Sequence, residues 1–346
     1  MSLALRTRPC TGKPSAQRGL GSQLLQLPVE LVVAIASQVP RHSQILASQS
    51  CRALRNILCD GLLQGEDRLP ENLSREGQLE FLVLLSRGSP AEWVCEECVE
   101  LHPAYLNDTP IDPMPACYFP CFFPGFGQGQ DLNIHASYGF KMSHRHVQLA
   151  LKHARLAAAA AATTSLDTTY LQKLLEPHQK RIRSRYTRKR LVDAEFSAHP
   201  KVVDGRYLVQ ATFNFWEDYD EVHREYLGTV ALCLHQVTQA SDAQEGPEQS
   251  SGPGDDSHPL NALKRAVGAA FQSPGEEVSG RCEFCGTDFA VEASPERVTM
   301  RAWKDFGPEG TTYNPYWHSQ ASGIFSTRTA RRMAGSIREL YGKDTT

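Results

Sequence analysis

The chain has no apolar run near the eighteen or so residues that a membrane span requires. The nearest candidate, Leu156–Ala162, is a short alanine run and reads as helix. No secretory apolar core follows the basic N-terminal residues. The ten cysteines are therefore expected in a reducing compartment, cytoplasmic or nuclear, where paired cysteines point to metal rather than to disulfides. There is no Gly-rich phosphate loop, no G-x-S-x-G elbow and no H-E-x-x-H, which removes three common enzyme classes. The formal net charge is −3, so nothing pulls the whole chain toward nucleic acid or anionic lipid. Acid is missing from the first 29 residues, which carry Arg6, Arg8, Lys13 and Arg18. Pro9, Gly12, Pro14, Gly19 and Gly21 break any amphipathic targeting helix there, and residues 1–22 are expected to form a disordered tail.

Residues 24–58 are rich in helix signals. Pro28 suits a helix start, and Glu30 meets the positive end of the helix dipole. Leu31, Ile35 and Val39 recur every four residues and mark one apolar face. Pro40 ends that helix, and Ser43 is placed to cap the next. Ala47, Cys51, Leu54 and Leu58 form a second apolar stripe, opposite Arg52 and Arg55. Such a module, taken as residues 23–63, is small for a core of its own.

The remainder, 64–346, reads as an α+β domain. Leu79–Leu85 suits a packed helix, and residues 102–131 are rich in Pro, Gly and aromatics and should be irregular but packed. His144–Ala162 and Thr169–Leu175 read as helices, with His144 and His146 expected at the surface. Lys180–Arg190 (KRIRSRYTRKR) reads as the solvated face of an edge strand, with nucleic-acid binding as its alternative. Asp204-Gly205 between β-rich runs signals a hairpin. Tyr207, Val209, Ala211, Phe213 and Phe215 alternate onto one buried face, and Gly228–Val237 is expected as a further strand. The acidic run Glu217–Glu221 reads as a solvated turn. Residues 239–259 hold almost nothing apolar and are expected to be a disordered insertion. Asn261–Phe271 reads as a helix, Val298–Trp303 as a strand and Ser326–Tyr341 as a basic helix.

Two C-x-x-C pairs, Cys95/Cys98 and Cys282/Cys285, each set two thiolates at the spacing of a tetrahedral site, and Gly286 allows a tight turn. Cys233 and His235 alternate in the expected strand and so share a face. The simplest assignment is a Cys3His site from Cys233, His235, Cys282 and Cys285. A second would join Cys95 and Cys98 with Cys117 and either Cys121 or His102. The rival assignment joins the two C-x-x-C pairs directly, and buried free thiols are the plain alternative. One or two structural zinc ions are the cofactor expected.

Leu27, Pro28, Glu30, Leu31 and Ile35, then Val39-Pro40, Ser50-Cys51-Arg52 and Leu54-Arg55, resemble an F-box. Add Trp93-Val94-Cys-x-x-Cys, the Asp204-Gly-Arg-Tyr-Leu strands, Cys233-x-His and the closing Cys282-x-x-Cys-x-Thr-Asp-Phe. The whole is then similar to a large group of fungal F-box proteins, over most of 24–318. The resemblance implies docking on the small adaptor subunit of a Skp-cullin-F-box ubiquitin ligase, and through it on cullin. Leu27, Pro28, Leu31, Ile35, Leu46, Cys51 and Leu54 would form the adaptor-binding face. The rest of the chain would recruit an unspecified protein target, with no chemistry of its own. The other classes are a zinc-stabilised nucleic-acid binder using Lys180–Arg190, and a metalloenzyme. A metalloenzyme would need an open coordination position that four-ligand sites do not offer.

Overall fold

The structure is a computed structural model, and it describes residues 23–119, 121, 131–160, 168–182, 192–217, 221–238, 259–321 and 333–343. Residues 1–22, most of Lys180–Arg190, the acidic run 218–220, the insertion 239–258 and the start of the basic tail lie outside that description. The chain divides into two compact units, Met1–Leu73 and Ser74–Thr346.

In the first unit, α1 (Val29–Ser37) follows Pro28, whose backbone is extended and forms the helix boundary. The second helix is expected as one and is two: α2 (Arg41–Ser50) and α3 (Arg52–Gly61). The break falls at Cys51, which is extended, and its sulfur accepts the Leu54 N–H at 3.5 Å. A cysteine thus does the capping work usually done by serine. Ser43 caps nothing, because α2 already starts at Arg41, directly after Pro40. Val32, Ile45, Leu58 and Leu63 form the buried interior.

In the second unit, α4 (Arg75–Leu85) begins at Ser74, whose hydroxyl accepts the Gly77 N–H. The hairpin β1 (Glu92–Cys95) and β2 (Glu100–Pro103) follows, and later the short pair β3 (Asp131–Leu132) and β4 (Met142–Ser143). Next come α5 (His144–Ala160) and α6 (Thr169–Leu174). Strands β5 (His178–Ile182), β6 (Asp193–Val203) and β7 (Arg206–Trp216) then enter the main sheet. A small hairpin, β8 (Ala231–Cys233) and β9 (Gln236–Val237), precedes α7 (Ala262–Gln272). Strands β10 (Glu277–Arg281), β11 (Thr287–Ala293) and β12 (Arg297–Pro308) finish the sheet, followed by α8 (Pro315–Ala321) and α9 (Ser336–Gly342).

The six-stranded sheet is antiparallel, in the order β10-β11-β12-β7-β6-β5. Asp204 and Gly205, with φ of 49° and 67°, make the tight β6–β7 turn. Positive φ at both central residues is what a two-residue turn needs to match strand twist. The alternating set Tyr207 to Phe215 is buried as expected. It joins Phe196, Phe289, Val291, Met300 and Phe306 in one core with residues of α5, α7 and α8. The other face is covered by α9, through Ile337 and Tyr341 against Ala290 and Trp303. Among the described residues, no helix is long and apolar enough to cross a membrane.

Candidate metal centres

Two groups of four side chains bring their donor atoms within 4.8 Å of one another: Cys95, Cys98, His102 and Cys121, and Cys233, His235, Cys282 and Cys285. Each could hold a metal ion.

The first centre is built on the β1–β2 hairpin. Trp93 lies opposite His102 in the register, and Cys95 is two residues beyond Trp93, so Cys95 and His102 share one face. The turn between them brings Cys98 back, and its sulfur lies 3.0 Å from His102 Nε2. Cys95 and Cys121 sulfurs are 3.6 Å apart, close to the ~3.8 Å edge of a tetrahedron with metal–sulfur bonds of ~2.3 Å. Val99, directly after the second cysteine, has φ of 56°. A β-branched residue in that region is strained, and strain persists where the surroundings over-determine the backbone. Here the Val99 N–H to Cys95 carbonyl bond closes the turn, and the Arg75 guanidinium donates to the Glu96 and Glu97 carbonyls from outside. The Trp93 ring stacks on His102 with centroids 5.2 Å apart, and Phe119 meets Trp93 edge-on.

The second centre joins two turns. Cys233 pairs with Gln236 across β8 and β9, so Leu234 and His235 are the turn itself. The expected strand over Gly228–Val237 is therefore a hairpin. Cys233 and His235 converge through the turn rather than through strand alternation. Cys282 and Cys285 lie between β10 and β11, in a knuckle closed by Cys282 N–H to Thr287 carbonyl and Thr287 N–H to Cys285 carbonyl, both 2.8 Å. The Phe284 N–H donates to Cys282 sulfur at 3.4 Å. The Thr287 hydroxyl lies 3.2 Å from Cys285 sulfur. Gly286 serves by close approach, not by unusual φ: a Cβ there would come 3.1 Å from the Asp305 carbonyl oxygen.

The electrostatics of the two thiol groups are alike. At the first, a hydrogen bond from Cys98 pulls the Cys95 thiol down to about 5 against the cost of burial. Sharing that proton drives Cys98 up, and burial with the Cys95 charge pushes Cys121 up to about 11. At the second, bonds from Cys233 and Cys285 pull Cys282 down. Burial pushes Cys233 up to about 12, and bonding to Cys233 and Cys282 raises Cys285. One thiolate held by two thiols is what a buried sulfur cluster does to confine negative charge. A divalent cation would let all three ionise, and three sulfurs with one imidazole suit a borderline-soft, tetrahedral ion. The centres differ in exposure: Cys98 and Cys121 are partly exposed, whereas all four donors of the second are buried.

The two C-x-x-C pairs do not share a site, which removes the rival assignment. Cys117 does not join the first cluster; it is exposed on the short turn Ala116–Tyr118, and His102 and Cys121 complete the set. His144 and His146 are buried, not at the surface. The His146 ring takes the Ser143 N–H on Nδ1 and lies 3.1 Å from Asp108 through Nε2. On the edge strand β5, Arg181 is exposed and lies 3.7 Å from Glu195.

In the first unit, Leu27, Leu31 and Ile35 are exposed, while Leu46, Cys51 and Leu54 are half-buried. Sequence reading missed His135 and Lys304, buried side chains whose Nε2 and Nζ lie 2.7 Å apart. The available signal was the pair Lys304-Asp305 continuing an apolar strand beyond Trp303. No family model, no curated protein and no solved structure matches the chain.

Proposed function

We propose that this protein is a substrate-recruiting F-box subunit of a Skp-cullin-F-box ubiquitin ligase. Its first unit docks on the adaptor, and its α+β unit, stapled by two structural zinc ions, carries the target-binding surface without catalysis. One observation carries the docking part. Leu27, Val29, Leu31, Ile35 and Val39 are 38–51 % exposed, although this small unit has few apolar residues to fill its own interior. Aliphatic side chains left outside in that density on one short segment mark an interaction surface. Three of them, Leu27, Leu31 and Ile35, are among the residues that the F-box resemblance assigns to the adaptor; Leu46, Cys51 and Leu54 of that set are half-buried.

Zinc is the ion that the donor sets suit best, because both are Cys3His groups with no fifth donor among the described residues. Four protein ligands leave no open position for a reacting water, so the reading is structural rather than catalytic.

The test is co-purification. Leu31→Asp with Ile35→Asp should abolish capture of the ligase adaptor while leaving the fold intact, since both positions are exposed in the free chain. Burying two unpaired carboxylates in an interface costs several kcal/mol. Undiminished capture by the folded double variant would end the F-box reading.

A further inference from the structure

The second centre poses a charge problem that the first does not. Three thiolates (−3), one neutral imidazole and a divalent ion (+2) sum to −1 at either site. At the first, Cys98 and Cys121 are partly exposed and water can screen the excess charge. At the second, all four donors are buried. An uncompensated charge in such a place is costly, so a counter-charge is expected within the protein.

Lys304 is the buried cation in that position. On β12 it pairs in register with Thr287 of β11, and directly opposed residues in an antiparallel ladder present their side chains to the same face. The Thr287 hydroxyl contacts Cys285 sulfur, and Gln320 Nε2 donates both to that hydroxyl, at 3.1 Å, and to the Gly286 carbonyl, at 2.8 Å. Lys304 therefore lies one strand away from the knuckle that carries two of the four ligands. Among the described residues it makes no ion pair with a carboxylate. Neighbouring acids are engaged elsewhere: Asp305 with Arg206, and Asp288 with the first N–H groups of α9. Its hydrogen bond to His135 is to a ring that burial keeps neutral. That bond fixes the ammonium without cancelling its charge.

We propose that Lys304 is the built-in counter-ion of the Cys233/His235/Cys282/Cys285 centre, held in place by His135. It neutralises the −1 of the loaded site, and in doing so it sets the affinity of that site for a divalent ion. Lys304 is a positioning residue, not a ligand. Burial pulls its ammonium down to about 8, and negative charge on Cys233 or Cys285 would push it back up.

This inference rests on the reading that both clusters hold a divalent ion. The experiment separates the two: less than two zinc ions per chain in the unaltered protein defeats that reading before Lys304 is tested. With two bound, the full-length chain is titrated with a chelator while released zinc is followed. The first centre serves as an internal control. Lys304→Met should weaken the second centre by about 10- to 100-fold, the range usual for outer-shell partners, and leave the first unchanged. In the cobalt-substituted protein, the thiolate-to-metal charge-transfer band of the second centre should move to longer wavelength. Loss of a nearby positive charge raises the energy of the sulfur electrons and so lowers the charge-transfer energy, while the ligand-field bands, which report the tetrahedral geometry, should stay in place.

A second variant removes dependence on the folding of the first. Lys304→Arg keeps the positive charge and should retain the zinc affinity and the band position that Lys304→Met loses. Unchanged affinity of the second centre in Lys304→Met, an equal loss at both centres, or a loss in Lys304→Arg as large as that in Lys304→Met would each overturn the proposal.

Discussion

At the residue scale, the helix α5 buries six polar side chains: His144, Arg145, His146, Gln148, Lys152 and His153. Arg145 Nε and Nη2 bind both carboxylate oxygens of Asp108, at 2.6 and 3.1 Å, and His146 reaches the same carboxylate. Burial works to raise the Asp108 acid, but the bonds from His146 and Arg145 outweigh it and hold the group well below the usual carboxylate range. The sign follows: this contribution to stability is present above the ordinary carboxylate pKa and is withdrawn as pH falls through the lowered one. Asp108 also accepts the Met114 N–H, so it ties the irregular segment before α5 to the helix. Asp108→Asn keeps the shape and leaves the Arg145 guanidinium buried without its counter-charge, which costs about 3–5 kcal/mol. A Tm lowered by about 10 °C at neutral pH is expected by calorimetry. The sequence reading placed His144 and His146 outside because a helix start rich in His and Arg looks solvated. That polar face is covered instead by a segment distant in sequence, and helical periodicity carries no information about such cover.

At the element scale, the unit of construction is the short turn that presents two ligands. The second centre joins the β8–β9 turn to the knuckle between β10 and β11, with Cys233 and Cys282 far apart in the chain. A bound ion there closes a long loop and adds directly to folding free energy. Cys285→Ser should lower the zinc content by one ion per chain and depress the melting temperature. Elemental analysis on protein purified without a metal-affinity tag would check the first point. The difference in burial predicts an order as well. A chelator should strip the centre with partly exposed Cys98 and Cys121 first, and the fully buried centre later; simultaneous release would contradict it.

At the scale of the whole molecule, the division between Leu73 and Ser74 separates an interior of few residues from a core that runs through the six-stranded sheet and its helices. Ser74 caps α4 with its own hydroxyl, so the second unit begins with a self-sufficient helix start. The fragment 74–346 should therefore fold alone, bind as much zinc as the full chain and unfold in one cooperative transition. If the proposed F-box reading holds, it should also fail to capture the ligase adaptor, since the exposed aliphatic residues of α1 are no longer present. Metal analysis, thermal unfolding and co-purification on that fragment would test all three.

The sequence by itself determined whatever is written in local chemistry. The Asp204-Gly205 hairpin, the alternating strand from Tyr207 to Phe215, the α+β class and the two C-x-x-C knuckles rest on backbone preference, side-chain period or short spacing, and all four are found. Even the grouping of Cys233 and His235 with Cys282 and Cys285 was legible, although the strand expected there is a hairpin turn. Only the tertiary structure decided the rest. It chose His102 and Cys121 over Cys117, because three candidates near one knuckle are equivalent in sequence and differ only in where the chain turns. Lys304 came opposite Thr287, at the end of the knuckle, through strand register, which pairs residues with no mark of each other in the sequence. It also turned Val32 inward and left Leu31 and Ile35 outside. That helix is apolar on nearly every side, so its own pattern cannot say which side the interior will claim; packing against α3 does.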